Sequence, residues 1–459
     1  MKRDIVLDMC SGPLPGKLLK FAVPLMLSGI LQLLFNAADI IVVGQFTGDA
    51  AMAAVGSTSS LNNLITNFFL GLSAGCSVVV ARYYGMRAWS DVEEAVHTSI
   101  LMGFISGVAL IFVGFFLARP MLELMGTTPD VIDQSVLYMR IVFAGMPAMM
   151  VYDFGAGILR AIGDTRRPLA FLFCGGIINV GLNLFFVIVF DMGVAGVAIG
   201  TVMSQFVAAS LTISCLMRSG TACRLALKRL RIVRKQLWRI LRVGLPTGIQ
   251  SVVFNISNVL IQSAVNSFDS SDIVAGNTAS VNIEGFVYTG MQAFYQASLT
   301  FTSQNAGAHR TERILPILGW TLLYVTSIGV ALGAVAALSG PWLLGIYTHS
   351  GDVVAYGLIR LRLICYTYFT CGLMDVVCGS IRGLGPSITP TLISLAGACG
   401  LRIAWIYTIF AADRTLFTLY VSYPVSWVVS FIANVICFAL FYVRWKRRVQ
   451  PLPAAGAAQ

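Results

Sequence analysis

Apolar residues in this chain run in blocks of span length, broken by short polar stretches, and do not alternate with polar ones as they would in a half-buried strand. A helix that crosses a bilayer needs about 20 mostly apolar residues. On that criterion the sequence predicts spans near 17–45, 53–84, 95–118, 131–159, 168–190 and 193–217, then 240–268, 274–304, 314–339, 354–383, 388–410 and 415–443. The expected fold class is an all-α polytopic membrane protein with 12 transmembrane helices.

The pattern also repeats at one offset. The stretch from Asp153 through Arg160 and Gly163 to Pro168 aligns with Asp375, Arg382, Gly385 and Pro390, 222 positions on, and the same offset relates Pro24 to Pro246, Asn36 to Asn258, Gly85 to Gly307 and Arg140 to Arg362. A gapless series of this kind marks a duplication. Each half holds an even number of spans, so both insert in the same sense, and two parallel six-helix pseudo-symmetric lobes around a central cleft are expected. The N-terminal lobe is placed at 1–217, a basic cytoplasmic linker at 218–239, the C-terminal lobe at 240–448 and a disordered cytoplasmic tail at 449–459.

Composition strengthens the membrane reading. The 459 residues are 57% hydrophobic and 11% charged, far more apolar than a soluble core of this length requires. The net charge of +11 does not gather into one patch, so no nucleic acid partner is expected. Apart from Arg119, Arg140, Arg360, Arg362, Arg402 and Arg414, the Lys and Arg residues fall in alternate loops. The positive-inside rule then puts both termini in the cytoplasm of a multi-pass protein of the bacterial inner membrane, with lipid as its surroundings. The opening MKRDIVLDMCSGP has no apolar core before a small-residue cleavage site, so no removed signal peptide is expected.

Several chemistries find no motif. The ten cysteines are scattered without CxxC pairs or histidines at metal-ligand spacing, so no metal or disulfide framework is expected. The nearest approach to a phosphate loop, Gly12 to Gly16 followed by Lys17 and Leu18, is one residue short between its glycines and lacks the Ser or Thr that would hold magnesium, so ATP is not expected. With no HExxH or GxSxG, the chain reads as a non-enzyme without a cofactor, and its energy would come from an ion gradient.

Polar residues inside spans then carry the functional reading. Ser28, Gln32, Asn36 and Asp39 share one face of the first span, and Ser251, Asn255, Asn258 and Gln262 share one face of the seventh, each after an early proline, Pro24 or Pro246. A charge at a span centre costs about 2.5–3.5 kcal/mol, so Asp39 is expected to bind a cation or take up a proton. Glu284, Tyr288, Gln292 and Tyr295 line the eighth span; they either hold an organic cation by charge and cation–π attraction or leave Glu284 paired to a neighbouring helix. Asp153 and Asp375 are expected to pair helix ends, Arg140 and Arg362 to snorkel, and His97, His309 and His349 to lie at the surface. Arg402, mid-span, has no evident partner.

Four stretches together resemble the multidrug and toxic compound extrusion (MATE) family: Phe21-Ala-Val-Pro24, Asn36-Ala-Ala-Asp39 continuing to Gly44, Leu159-Arg160-Ala-Ile-Gly163-Asp164-Thr165 and Ser303-Gln304-Asn305-Ala-Gly307. The resemblance implies an exporter of lipophilic, often cationic drugs by rocker-switch antiport against H+ or Na+. It implies a coupling carboxylate at Asp39, with sodium as one candidate there, and hinges at Pro24 and Pro246. It completes the coupling cluster with Tyr138, Asn179, Asn183 and Thr201, where Asn183 replaces the aspartate of one branch of the family. Phe254 stands where a second branch has a glutamate, leaving the ion open. The substrate set is Gln32, Asn36, Asn255, Asn258, Gln262, Glu284, Tyr288, Gln292 and Tyr295, and a monomer is expected. The alternative is a lipid-linked saccharide flippase of the same superfamily, which would need several buried cations where the stripes show acids and amides.

Overall fold

Side chains too apolar for water and backbone groups that must be satisfied in lipid leave helix as the open choice, and a computed structural model, which describes residues 6–220 and 222–449, has helices and no strands among them. In order they are α1 (Leu14–Thr47), α2 (Asp49–Met86), α3 (Trp89–Leu124), α4 (Pro129–Ala144), α5 (Met146–Ala161), α6 (Arg166–Leu184), α7 (Gly193–Met217), α8 (Arg234–Asn266) and α9 (Ser271–Gly307). There follow α10 (Thr311–Leu338), α11 (Gly340–Gly345), α12 (Gly351–Thr367), α13 (Phe369–Leu384), α14 (Ile388–Ser394), α15 (Leu401–Tyr407), α16 (Ile409–Ala412) and α17 (Leu416–Val449). π-Helical turns at Phe185–Val189 and Leu395–Gly400 extend α6 and join α14 to α15.

Among the described residues nine helical stretches are long and apolar enough to cross a membrane, and the bent pairs α4–α5 and α12–α13 raise this to 11. The remaining long rod, α9, has 37 residues but a run of Ser, Thr, Asn and Gln that keeps it below the same hydropathy threshold. It coincides with the eighth expected span. Residues 450–459, most of the expected tail, lie outside the described residues.

Two expected single spans are bent instead. α4 and α5 meet at 49° and α12 and α13 at 44°. Pro147 explains the first, because it has no N–H to return to the preceding turn. No proline lies at the second. There Thr367 donates its hydroxyl to the Leu363 carbonyl at 2.8 Å and Thr370 to the Thr367 carbonyl at 2.7 Å, side-chain bonds of the kind that bend a helix.

The chain divides into two compact units, residues 1–8 with 27–248, and 9–26 with 249 onward. The sequence placed the join in the basic segment 218–239; the units instead part within α1 and α8, two residues after Pro24 and Pro246. Packing accounts for both cuts. In the second unit Phe21 meets Phe301 edge-on at 5.5 Å between ring centres, and Ala22, Leu25 and Met26 join the core of α9 and α10. In the first unit the opening of α8 lies against α2 with no side chain between them. A Cβ added to Gly75 would come within 2.5 Å of the Ile240 carbonyl and 2.6 Å of the Gly244 nitrogen, and one on Gly71 within 2.5 Å of the Gly248 nitrogen. Both helices present Gly-xxx-Gly, the spacing that lets membrane helices approach backbone to backbone.

The basic segment before α8, together with the first turn of α8, is fastened to the start of α3. Arg229 pairs with Glu93 at 3.0 Å, Arg231 with Glu94 at 3.5 Å and Lys235 with Asp91 at 3.0 Å. His97 corrects the expectation of a surface residue: it is 2% exposed, its Nε2 accepts from the Ala226 backbone N–H at 3.1 Å, and its Nδ1 lies 2.7 Å from the Glu93 carbonyl. Nε2 also lies 3.2 Å from the Ala226 carbonyl, so both ring nitrogens face backbone atoms. His309 and His349 are exposed as expected.

Two of the family-like stretches have a structural role at the N-terminal segment. Leu7 donates its N–H to the Gly163 carbonyl, and a Cβ on Gly163, at φ 97°, would run into the Leu7 carbonyl. In the second unit Asn305 donates to the Met9 carbonyl at 3.0 Å and Arg313 to the Gly12 carbonyl at 3.1 Å.

Candidate functional site

In the first unit, α1, α6 and α7 bring together polar residues that lie far apart in sequence. Asp39 is buried, and Asn183 donates its amide N–H to one carboxylate oxygen at 2.5 Å. Thr201 Oγ1 lies 3.4 Å from the other oxygen, and Asn179 donates to the Thr201 hydroxyl at 3.2 Å. Four of the five expected coupling residues thus form one connected cluster. Tyr138 is also buried, in the apolar cluster that contains Val42, Val43 and Val197. Two acceptors in this set, Asn179 Oδ1 and Asn183 Oδ1, are buried without a hydrogen-bond partner. Gly200 makes room for the second, since a Cβ there would collide with Asn183 Oδ1.

Gln32 and Asn36, two turns and one turn earlier on α1, are exposed, as is Asn258 on α8. Asn255 turns its amide back to the Ser251 carbonyl at 2.8 Å.

The second unit sorts the remaining expected residues into three groups. Glu284 is not open to an organic cation. Arg360 donates Nε–H to one of its oxygens at 2.9 Å and a terminal N–H to the other at 2.8 Å, with both side chains buried. This two-pronged pair corrects the drug-cation role and matches the competing expectation of an interhelical pair, because a carboxylate saturated by a guanidinium offers no net charge. Asn277 extends the network, accepting from Arg360 and Tyr420 at 3.0 Å each and donating to Gln262 at 2.7 Å. Tyr295 belongs with Arg382, whose terminal N–H groups reach the Tyr295 hydroxyl at 2.7 Å, Gln250 at 2.6 Å and Thr391 at 3.1 Å. Tyr288 and Gln292 bond to each other, and Gln292 donates to Asp375 at 3.2 Å. Asp375 therefore faces the polar side of α9. Asp153, its repeat mate in the first unit, has one carboxylate oxygen buried without a partner.

Arg402, left without a partner by the sequence, lies with its guanidinium 4.1 Å from the Tyr423 ring centre and 5.6 Å from that of Trp427, and Nε donates to Ser426 at 2.9 Å. Together with Arg360 and Arg382 it makes three buried arginines in this unit. That corrects the impression of acids and amides alone. Sequence reasoning passed over Asn277, Arg360, Tyr420 and Tyr423. The first carried a signal, standing seven positions before Glu284 on the same helical face; the tyrosines looked like ordinary core. Arg140 is exposed over the Phe115 ring at 5.0 Å, and Arg362 is exposed.

Comparison with known proteins follows the same halves. The MatE family model matches twice, over residues 24–185 and 246–408, so that each match begins at one of the paired prolines. The chain is 25% identical to a probable multidrug resistance protein, YoeA, of Bacillus subtilis, over 93% of each chain. It is 24% identical to the probable multidrug resistance protein NorM of Thermotoga maritima, over 82% of each. Among solved structures it is similar to an outward-facing MATE-family multidrug resistance transporter of the MOP superfamily, with a TM-score of 0.88, 21% identity and coverage of 96% of this chain and 98% of that one. The twofold match, together with the helical repeat it falls on, places this chain in the MatE family of multi-pass membrane transporters.

Proposed function

We propose that this chain is a secondary active exporter of lipophilic, often cationic small molecules, coupled at Asp39 to one proton or one sodium ion per cycle. It works by rocker-switch alternating access in a bacterial inner membrane, with both termini cytoplasmic. The observation that carries the reading is the Asp39 cluster: one titratable group, buried in a span, among amides and hydroxyls that do not titrate. Such a site changes its charge by one unit. The names of its curated relatives, multidrug resistance proteins, support the export of drugs.

The hydrogen count at Thr201 supports a protonated form of the site. Its single hydroxyl hydrogen faces two acceptors, the Val197 carbonyl at 2.9 Å and Asp39 at 3.4 Å. A proton on Asp39 would donate to Thr201 and free Thr201 to donate to Val197. Sodium, in turn, would draw on the same carboxylate and on the unpartnered amide oxygens of Asn179 and Asn183.

An ion can drive export only through its different affinity for the two access states. Ethidium efflux from proteoliposomes with imposed proton or sodium gradients tests this. Efflux driven by one gradient and lost in Asp39→Asn is expected, whereas gradient-driven efflux at the wild-type rate in that variant would refute the assignment.

A further inference from the structure

The second unit buries more positive charge than negative. Arg360, Arg382 and Arg402 are 5%, 3% and 5% exposed, against the carboxylates Glu284 and Asp375. Glu284 is saturated by Arg360, Asp375 accepts from Gln292, and Arg382 is held by three neutral partners, Tyr295, Gln250 and Thr391. Arg402 is the least hydrogen-bonded of the three arginines. Among the described residues no carboxylate pairs with it, and Nε is matched to a neutral serine. An arginine cannot shed its proton to escape this position, as a buried lysine can. Aromatic rings compensate a guanidinium only in part. What would complete the site is an anion.

Its surroundings indicate what carries that anion. Beyond Arg402 the rings continue in a stack: Trp427 lies on Tyr368 with 5.2 Å between ring centres, and Tyr368 on Tyr288 with 6.0 Å. Arg402 and Trp427 are buried, and Tyr368 and Tyr288 are half-buried. Phe254 packs on the same cluster and brings no negative charge. We propose that Arg402 and this stack form a binding site for flat aromatic organic anions, the guanidinium taking a carboxylate in its planar fork and the rings taking the aromatic body. This rests on the export reading for its purpose, because the site would make such anions cargo, but its binding chemistry can be measured apart from transport.

The test uses the full chain in lipid nanodiscs and radiolabelled 2-naphthoate, with its neutral amide, 2-naphthamide, as the isosteric control. Wild type should bind the carboxylate with a Kd about tenfold or more below that of the amide. Arg402→Gln should erase that preference. Arg402→Lys, which keeps the charge and loses the fork, should retain a fraction of it. Arg140→Gln should leave it unchanged. Equal binding of acid and amide by wild type, or an undiminished preference in Arg402→Gln, overturns the proposal. Should Arg402→Gln not yield a folded protein, an undiminished preference in Arg402→Lys overturns it. If ethidium is exported while naphthoate does not bind, this site alone fails; if naphthoate binds while no gradient moves ethidium or naphthoate, the export reading fails and the site stands.

Discussion

Asn183 donates its side-chain N–H to Asp39 across 2.5 Å, so the residue that cannot titrate touches the one that can. Replacing that amide by a carboxyl puts two acids within hydrogen-bond reach, and two such groups resist ionising together. For a proton-coupled cycle, Asn183→Asp should hold one proton at the site to higher pH. The alkaline limb of the efflux-against-pH profile is expected to move up by about one unit or more. Superimposable profiles for the two proteins would show that Asp39 and position 183 do not share a proton.

The Glu284–Arg360 pair holds α9 to α12, and its halves are not equally expendable with the whole. Removing one partner strands a buried charge, at about 3–5 kcal/mol, whereas replacing both by apolar groups of similar size is often neutral or stabilising. Glu284→Met and Arg360→Met should therefore each lower the unfolding midpoint in detergent, and the double variant should recover most of the loss. Additive losses in the double variant would argue against direct coupling.

Backbone contact between α2 and α8 makes Gly75 and Gly244 intolerant of any side chain. Gly75→Val and Gly244→Val are expected to reduce the yield of monodisperse protein severely, by steric overlap with main-chain atoms that cannot rotate away. Gly285, whose added Cβ would meet nothing within 4 Å, is the control, and Gly285→Ala should purify as wild type does.

The fastening of residues 226–236 to α3 depends on His97 more than on its ion pairs. Arg229 is 73% exposed, so its bond to Glu93 is screened, and Arg229→Ala should change stability by less than about 0.5 kcal/mol. His97→Ala leaves the Ala226 N–H without its acceptor and should cost about 1–3 kcal/mol. Limited proteolysis of the 226–236 segment reads the difference: cleavage should rise in His97→Ala and stay near wild type in Arg229→Ala.

Hydropathy blocks and a fixed offset were enough to find the helices and their duplication, because span length and repeat are one-dimensional properties of a chain in lipid. Of the Asp39 cluster, Asp39 itself was legible as a charge within an apolar run, whereas Asn179, Asn183 and Thr201 came from the resemblance to the MATE family. Pairings across helices were not legible. Glu284 on a polar stripe looks the same whether it faces an open space or Arg360, 76 positions away, and only packing decides between them. His97 shows the same limit: a helix-start histidine reads as surface until residues 226–233 are seen to cover it. The bend after Thr367 escaped notice because no proline announces it; hydroxyl bonds to backbone carbonyls produce it instead.

The parting of α1 at Met26 has a consequence for how the protein is made. Residues 9–26 are synthesised well over 200 residues before the rest of the unit they belong to, which is built from residue 249 onward. The first span must enter the bilayer and wait, half of it without its permanent neighbours. A gene cut between the sixth and seventh spans would thus encode two fragments, each lacking part of its own core, and neither should assemble unless both are expressed in the same cell.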